Sequence, residues 1–288
     1  MITLENAFLK VSIKEVGAEL ASIYDKKVGR ECLWVGDPAI WKGQSPLLFP
    51  VIGSCRNKEY RFEGKTYPMG QHGFAKYKTF AVKELTAEKA VMSIAADEET
   101  REVYPFEWEL TVTYTLTEGE LAVAFEVINK QTERPMYFSL GAHPGFLFDG
   151  ELEDQQITFN TDENMDRVLL NTEIWLFSRN VTKDYVKNGE SIAITPHIFD
   201  DDALVFHDFK FTKTGIVNKK TGHGVEMELS GFPYIGYWAK PGAPYVCIEP
   251  WYGLADFDDF FGELPEKDGI LTLEAGKAFN AGYSLKFI

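Results

Sequence analysis

ELTVTYTLTEGELAVAFEV, residues 109–127, contains the clearest structural pattern in the chain. Apolar and polar side chains alternate from Leu110 to Leu116, and the alternation resumes at Leu121 after the polar, glycine-containing stretch 117–120. A period of two residues is typical of a β-strand with one buried face. Two such runs joined by a short loop that contains glycine predict a β-hairpin.

The same alternation recurs along the chain, whereas a sustained apolar stripe of helical period is scarce. The 24 glycines and 13 prolines are spread throughout, so no linker or domain boundary stands out. Many short strands separated by turn signals favour an antiparallel sandwich or barrel-like fold with few short helices. Further strands are predicted at 7–13, 90–96, 225–229 and 283–287, and a second tight hairpin is predicted at 60–67.

Composition and charge limit the classes of function. Of the 288 residues, 45% are hydrophobic, and a chain of this size buries roughly three quarters of its unfolded surface in a packed core. The 29 Lys and Arg residues stand against 44 Asp and Glu residues, which gives a formal charge of −15. Such a surface repels phosphate polyanions, so we expect neither nucleic acid nor an anionic membrane as a partner.

Targeting and cysteine patterns favour a soluble, cytoplasmic protein. The opening MITLENAFLK lacks a basic start followed by an apolar block, and no uncharged apolar run reaches the roughly 18 residues of a membrane span. Cys32, Cys55 and Cys247 are odd in number and form no CxxC pair, which favours reduced thiols.

Two of the five histidines lie in apolar, glycine-rich sequence, His72 in MGQHGFAK and His143 in YFSLGAHPGF. If 136–143 is one strand, His143 shares a face with Tyr137 and Gly141, and small residues beside it leave room for a ligand. A hydrogen-bonded structural imidazole is an equal alternative. The other three histidines lie in polar sequence and are expected at the surface: His197, His207 and His223.

Glu249 is the most unusual carboxylate, because it follows the apolar run APYVCI. Partial burial would raise its pKa and make it a base near neutral pH, whereas the alternative is a salt-bridged or capping glutamate. Paired carboxylates suited to glycoside hydrolysis or calcium binding also occur, but acidic loops in so acidic a chain usually face solvent or cap helices. These carboxylates are Asp200, Asp201 and Asp202 in FDDDALVF, and Asp256, Asp258 and Asp259 in ADFDDFFG.

No motif predicts a metal or an organic cofactor. HxH, HExxH, CxxC and EF-hand patterns are absent, as are GxGxxG, GxxxxGK[ST] and GxSxG. The remaining candidates are His, Glu and Arg side chains together with aromatic rings. Among the rings, Trp238 in IGYWAKP precedes a turn, where it could stack on a sugar or equally fill the core.

Three segments in a fixed order carry a resemblance to a known family: GSCRNKEYRFEGKTYPMGQHGFAK (53–76), SLGAHPGF (139–146) and VCIEPWYG (246–253). Together they resemble the aldose 1-epimerase (galactose mutarotase-like) family, and particularly its LacX-like branch. The similarity runs nearly end to end, from ITLEN in the first strand to Tyr283-Ser284-Leu285. It implies one large antiparallel β-sandwich domain over 1–288, and an enzyme that interconverts the α and β anomers of an aldohexose or related sugar without a cofactor.

The matching motifs imply the roles of particular residues. His143 is the implied general acid and Glu249 the implied general base, on opposite sides of the bound sugar. The base takes the proton of the anomeric hydroxyl while the acid protonates the ring oxygen, and the roles reverse on closure after rotation about C1–C2. For His143 to be an acid at neutral pH, a nearby carboxylate must raise its pKa. The motifs also imply sugar contacts by Arg56 and His72 and, through a looser match, by Asp202 or Asp201. Trp238, as a stacking platform, and Lys76, as a point charge for a phosphate, are further candidate contacts.

The substrate class stays open. Relatives that act on hexose 6-phosphates carry an Arg soon after HGFA, where this chain has Lys76, which lacks the bidentate fork of Arg. Convergence of Lys76 with Arg56, Arg61 or Lys78 at one end of the pocket would favour a hexose-6-phosphate mutarotase. The sequence is also compatible with a non-catalytic carbohydrate-binding or sensing protein on the same fold, and with a glycoside hydrolase or lyase that uses paired carboxylates.

Overall fold

Antiparallel strands build most of the molecule. The computed structural model describes residues 1–288, of which 49% lie in strands and 6% in helices, so the predicted all-β class with few short helices is confirmed. None of the helices has the length and apolar character that crossing a membrane requires.

The strands are numbered in chain order. The first thirteen are β1 (Ile2–Glu5), β2 (Leu9–Ile13), β3 (Leu20–Asp25), β4 (Arg30–Glu31), β5 (Leu47–Leu48), β6 (Glu59–Phe62), β7 (Lys65–Pro68), β8 (Ala81–Leu85), β9 (Lys89–Ala95), β10 (Trp108–Thr117), β11 (Glu120–Asn129), β12 (Met136–Phe138) and β13 (Leu140–Ala142). The other twelve are β14 (Gly145–Leu147), β15 (Gln155–Phe159), β16 (Met165–Asn171), β17 (Leu176–Val186), β18 (Ile192–Ala193), β19 (Leu204–His207), β20 (Lys213–Asn218), β21 (Gly224–Leu229), β22 (Tyr234–Trp238), β23 (Tyr245–Tyr252), β24 (Leu271–Leu273) and β25 (Ala278–Phe287).

Helical structure is limited to short segments. The single α-helix, α1 (Glu98–Val103), begins after Asp97, whose carboxylate accepts the backbone N–H of Thr100 at 2.7 Å and so satisfies one of the free donors at the helix start. The 3₁₀ turns lie at Arg56–Lys58, Ala75–Tyr77, Leu152–Asp154 and Leu264–Glu266.

The hairpin predicted from residues 109–127 is confirmed by β10 and β11. Thr117 pairs with Glu120, so the loop consists of Glu118 and Gly119, whose φ angles are 48° and 103°. Two-residue turns of this kind need positive φ to match the twist of the strands, and glycine adopts it without a steric penalty. Burial alternates along both strands as the sequence pattern requires.

The other strand predictions agree with the structure except at 136–143. Strands β2, β9, β21 and β25 and the β6–β7 hairpin all lie at the predicted positions. In contrast, β12 pairs with β24 whereas β13 pairs with β23, because the chain passes from one sheet to another at Ser139. Tyr137 therefore packs against Phe62 and Phe106 and does not lie beside His143.

Two large sheets organise the chain. The nine-stranded sheet has the order β18-β15-β20-β21-β25-β11-β10-β9-β8. The eight-stranded sheet has the order β17-β16-β19-β22-β23-β13-β5, and β14 also pairs with β23. Smaller sheets are formed by β1–β4, by β6 with β7, and by β12 with β24.

A hydrophobic core of 62 buried residues includes side chains from both large sheets, and this makes the two sheets a sandwich. Val112 contributes from the nine-stranded sheet, and Phe206 and Ile248 contribute from the eight-stranded sheet. Because side chains alternate along a strand, Ile248 facing this core leaves its neighbour Glu249 on the opposite face of the eight-stranded sheet. We call that opposite face the site face.

A buried pair of hydroxyl groups connects the two sheets. The Thr214 hydroxyl on β20 donates to the carbonyl oxygen of Thr158 at 2.8 Å, and it lies 2.7 Å from the Tyr237 hydroxyl on β22. Since a hydroxyl has one hydrogen, Tyr237 is the donor to Thr214. Tyr237 is 0% exposed, so no solvent replaces this partner.

We expect Thr214→Val to destabilise the protein more than Tyr237→Phe. The first change leaves the buried Tyr237 hydroxyl without an acceptor, at a cost of about 1–3 kcal/mol, whereas the second removes the donor itself. The double variant should be more stable than Thr214→Val alone. Urea unfolding measures these differences, with the exposed Tyr77→Phe as the control, and equal losses for the two single variants would contradict the prediction.

Candidate active site

The backbone register places His143 opposite Glu249. Gly141 pairs with Trp251 through β13, and Gly145 pairs with Cys247 through β14. Between these two positions the same register aligns residue 143 with residue 249, although the ladder is interrupted where Pro144 has no N–H to donate. On the other side, β22 aligns Gly236 with Glu249.

Two glycines in the strands that flank β23, Gly141 and Gly236, leave room on the site face for large side chains. A Cβ at Gly236 would lie 2.7 Å from the Trp251 ring, and a Cβ at Gly141 would also lie 2.7 Å from that ring. The indole of Trp251 therefore covers two glycines in neighbouring strands. Its packing over them forms one wall beside Glu249.

His143 and Glu249 are in direct contact and both are buried. His143 Nε2 lies 3.2 Å from Glu249 Oε2, and the two residues are 8% and 2% exposed. The expectation that they lie on opposite sides of a sugar was wrong, because the register makes them cross-strand neighbours on one face. Both can still reach one sugar, since the ring oxygen and the anomeric hydroxyl are bonded to the same carbon.

Burial opposes the charged form of each member of the pair. It raises the pKa of Glu249 well above its usual value, and the negative charge of Asp202 adds to this rise. It lowers the pKa of His143 to about 3, and the positive charge of Lys76 contributes to that decrease. The expected rise of the His143 pKa is not found, because burial has the larger effect on the imidazole. Burial thus favours the neutral form of each group.

Aromatic rings surround the imidazole of His143. Trp41 stacks on it with ring centroids 5.1 Å apart, and Trp238 meets it edge-on at 5.6 Å. Trp41 and Trp238 also touch each other, at 5.4 Å. Both indoles are half-buried, so they separate the pair from solvent.

His72 is the third member of this group of rings, with its centroid 5.8 Å from that of His143. Its Nδ1 accepts the backbone N–H of Gly53 at 3.0 Å, so its proton is on Nε2. Burial, with the nearby His143 and Lys76, holds the pKa of His72 well below its usual value. His72 is therefore a neutral imidazole whose Nε2–H is available to donate.

Asp202, rather than Asp201, is directed toward the pair. Asp201 is exposed, whereas Asp202 is half-buried with a left-handed backbone (φ 69°), and its Oδ1 accepts the N–H of Ala203 at 2.8 Å. Burial raises the pKa of Asp202, while Lys240 and the Trp238 indole oppose that rise.

Lys76 lies near the pair, and the Arg56 guanidinium contacts the 258–261 loop. Burial lowers the pKa of Lys76 to about 8, with a contribution from Lys42, and its Nζ donates to the carbonyl oxygen of Gln71 at 2.8 Å. The Arg56 guanidinium donates to the carbonyl oxygens of Phe260 and Asp258 at 3.1 and 2.5 Å and lies over the Phe261 ring. These contacts hold the 258–261 loop.

Three of the other acidic candidates form ion pairs: Asp200 with His197, Asp256 with Lys267 and Asp259 with Arg179. Asp256 was expected to face solvent or cap a helix, but it is buried and paired with Lys267 at 2.7 Å. Its second oxygen accepts the backbone N–H of Arg56, so it supports the same loop. The three histidines predicted at the surface are exposed or half-buried and each contacts an aspartate: His197, His207 and His223.

Trp41 is a site residue that sequence reasoning did not select. It lies in GDPAIWKG (36–43), where exposed residues surround a single inward-facing ring. The segment is fixed at its end by Gln44, whose amide donates to the carbonyl oxygens of Ala21 and Trp34 at 2.7 and 2.8 Å. A tryptophan inside a short turn rich in Gly and Pro was the signal that could have found it.

Only one group of side chains in the chain could hold a metal ion. Cys247, His143 and Glu249 are all buried, and their ligand atoms lie within 4.8 Å of one another. All three cysteines are free.

Comparisons with known proteins agree with this architecture. The family model for aldose 1-epimerase matches residues 1–278. Protein LacX, chromosomal, from Lactococcus lactis subsp. lactis is 31% identical over 289 residues, which cover 96% of this chain and 96% of that protein. A galactose mutarotase related enzyme from Lactobacillus acidophilus is 35% identical with a TM-score of 0.94, over 99% of this chain and 96% of that one. A galactose mutarotase-like protein from Lactobacillus casei ATCC 334 is 30% identical with a TM-score of 0.94, over 100% of both chains.

The sandwich thus has the galactose mutarotase-like architecture. The chain belongs to the aldose 1-epimerase family. This membership supports a mutarotase-type isomerase function with a small-molecule sugar as the ligand.

We expect Glu249→Gln to stabilise the folded protein above about pH 5, and the gain should grow as the pH rises. The pKa of Glu249 is higher in the folded state than in the unfolded state, so the folded wild type binds more protons. Its unfolding free energy therefore falls as the pH rises above the pKa that Glu249 has in the unfolded chain. Glutamine stays neutral and lacks this dependence.

Urea unfolding from pH 4 to pH 8 measures the difference between the two proteins. The control is Glu228→Gln, which changes an exposed carboxylate on β21. A Glu249→Gln variant that loses stability relative to the wild type as the pH rises from 4 to 8 would show that the carboxylate is held as a stabilising anion.

Proposed function

We propose that this protein is an aldose mutarotase that interconverts sugar anomers by acid/base ring opening and closing, with Glu249 as base and His143 as acid. The observation that carries the proposal is the buried contact of 3.2 Å between the two side chains, inside a ring of aromatic and polar groups. The family membership supports the same reaction class.

The pair holds one proton that can occupy either member. In the closed site burial favours the carboxylic acid beside a neutral imidazole. Transfer of that proton across the contact gives a carboxylate and an imidazolium with no change of net charge. Sugar hydroxyls that donate to the carboxylate would favour this ionised form, because they replace part of the lost solvation.

The reaction then needs two short proton transfers. The Glu249 carboxylate takes the proton of the anomeric hydroxyl, His143 gives its proton to the ring oxygen, and the bond between C1 and the ring oxygen breaks. The open aldehyde rotates about C1–C2. On closure, Glu249 returns a proton to the carbonyl oxygen and His143 takes one from the attacking hydroxyl, which restores the pair.

Neighbouring polar groups would orient the sugar. His72 offers a neutral Nε2–H donor, Asp202 a carboxylate acceptor and Lys76 an ammonium donor, while Trp238 presents an indole edge beside His143. Fixed donors and acceptors of this kind lower the entropy cost of reaching the reactive geometry. The Arg56 guanidinium uses two of its five N–H donors on the carbonyl oxygens of Phe260 and Asp258, so it keeps donors for a sugar hydroxyl.

Access to the pair requires movement of the 36–43 segment. His143 and Glu249 are almost fully covered, and the Trp41 ring lies directly on His143. We propose that the segment opens between its fixed ends and that the Trp41 indole then packs against the sugar. Aromatic rings suit the apolar face of a pyranose.

We expect the protein to act on a free sugar in preference to the sugar 6-phosphate. The cations that would gather around a phosphate are occupied elsewhere: Lys78 pairs with Asp97 and Glu99, and Arg61 pairs with Glu263. One observation favours the second candidate, a hexose-6-phosphate mutarotase, because Lys42 lies close enough to Lys76 to contribute to its lowered pKa.

We expect Glu249→Gln to lose most mutarotation and to keep sugar binding. An amide cannot take the anomeric proton, and the loss of a general base lowers a rate by about 10²–10⁴-fold. Polarimetry of freshly dissolved aldoses and their 6-phosphates measures the rate, and calorimetry measures binding.

Glu228→Gln should keep the wild-type rate in the same assays. A wild-type rate in Glu249→Gln would remove Glu249 from the mechanism. Binding by a wild-type protein that accelerates no anomer exchange would support a non-catalytic carbohydrate-binding protein, and release of reducing ends from a glycoside would support a hydrolase.

Trp41→Ala should raise the KM for the sugar by about 2–10-fold, the usual contribution of one aromatic contact, with a smaller change in kcat. The sugar should also change tryptophan fluorescence in the wild type and less so in Trp41→Phe. The matched control is Trp175→Ala, since Trp175 is 53% exposed and lies in the turn between β16 and β17. An unchanged KM would show that the ring does not contact the sugar.

A further inference from the structure

Cys247 is a nucleophilic, metal-binding side chain that the proposed reaction does not use. It lies two residues before Glu249 on β23, so both side chains are on the site face. His143 is aligned with Glu249 across the strand. A thiol, an imidazole and a carboxylate therefore meet in one buried place.

We propose that Cys247, His143 and Glu249 bind a thiolate-preferring divalent ion of the Zn²⁺ class, and that this ion inhibits the enzyme by occupying the acid/base pair. The binding part of the proposal is independent of the reaction, and the inhibition part rests on the proposed function.

The distances suit such an ion. In a tetrahedral zinc site with Zn–N and Zn–O of about 2.1 Å and Zn–S of about 2.3 Å, the ligand atoms lie about 3.4–3.6 Å apart. His143 and Glu249 are already 3.2 Å apart, and the Cys247 sulfur completes a group within 4.8 Å. A shift of about 1 Å in the cysteine rotamer would close the site.

Space beside the thiol depends on a glycine. The residue paired with Cys247 is Gly145, and a Cβ built there would lie 3.3 Å from the cysteine sulfur. Any larger residue would extend a side chain over the thiol. The same Cβ would lie 3.2 Å from Trp34 and 3.3 Å from Tyr245, so these two side chains border the thiol on the side of its cross-strand neighbour.

Charge also favours a divalent ion at this place. A single charge is costly in so buried a site, but Zn²⁺ with one thiolate and one carboxylate has zero net charge. The ion displaces two protons, one from the thiol and one from the His143–Glu249 pair, and forms bonds to S, N and O in their place. An ion, like a sugar, would reach the His143–Glu249 pair from the side that Trp41 covers. The ion and the sugar should therefore compete for the site.

Cobalt(II) is the probe for binding, because a bound thiolate produces a charge-transfer absorption band that needs no activity measurement. The wild type should bind one Co²⁺ with this band, Zn²⁺ should displace it, and Cys247→Ser should lack it. Cys32→Ser is the matched control, since Cys32 is equally buried but outside the group, and it should keep the band.

Zinc inhibition is measured by polarimetry on the same proteins. Zn²⁺ should inhibit the wild type reversibly, with recovery in EDTA, and saturating sugar should protect against it. Cys247→Ser should keep basal mutarotation. The Zn²⁺ concentration that gives half inhibition should rise at least about tenfold, because losing a ligand weakens metal binding by no less than the 10–100-fold caused by changing an outer partner.

The outcomes separate the two proposals. Absence of the band in the wild type, or equal zinc sensitivity in Cys247→Ser, overturns the metal site and leaves the mutarotase proposal standing. A band without any mutarotation supports the metal site and overturns the proposed function. If Cys247→Ser does not fold, Glu249→Gln replaces it, and an undiminished Co²⁺ affinity in that variant overturns the site.

Discussion

Apolar burial between the two large sheets holds the molecule together, and it fixes which side chains of the eight-stranded sheet point toward the facing sheet. On β23 the alternation of side chains assigns Val246 and Ile248 to that core. The same alternation assigns Cys247, Glu249 and Trp251 to the site face. Glu249 is therefore positioned by a strand that the core fixes, whereas His143, His72 and Asp202 reach the site from loops beside the strands.

The central strand of the site is covered on both faces, and this cover determines its electrostatics. Seven of the eight residues of β23 are buried, and Tyr245, Val246, Cys247 and Ile248 all belong to the main core cluster. Loops and aromatic rings supply the second cover, with Trp41 over His143 and Leu254 packed in the smaller cluster with Trp251. Under such cover neither Glu249 nor His143 retains its charge without help. This cover is consistent with the proposed transfer of one proton within a neutral pair.

Local patterns predicted the strands well and the site only in part. The period-two alternation of 109–127 and the turn glycines located hairpins correctly, because these features depend on neighbours in sequence. The run at 136–143 has the same local character, yet it divides between two sheets at Ser139, and only pairing with β23 and β24 decides that. Asp201 and Asp202 are equivalent in sequence, but only Asp202 lies near Trp238 and Glu249. Trp41 has no periodic signal, since its importance comes from a turn that folds over another part of the chain.

By itself the sequence determined the all-β class, the hairpins, the acidic surface and the identity of the two unusual residues, His143 and Glu249. These depend on composition and short-range order, which the chain carries before it folds. Tertiary structure decided that the imidazole and the carboxylate touch, since a register between distant strands aligns them. It also decided their protonation, because the solvation that each loses depends on the rings and loops packed around it.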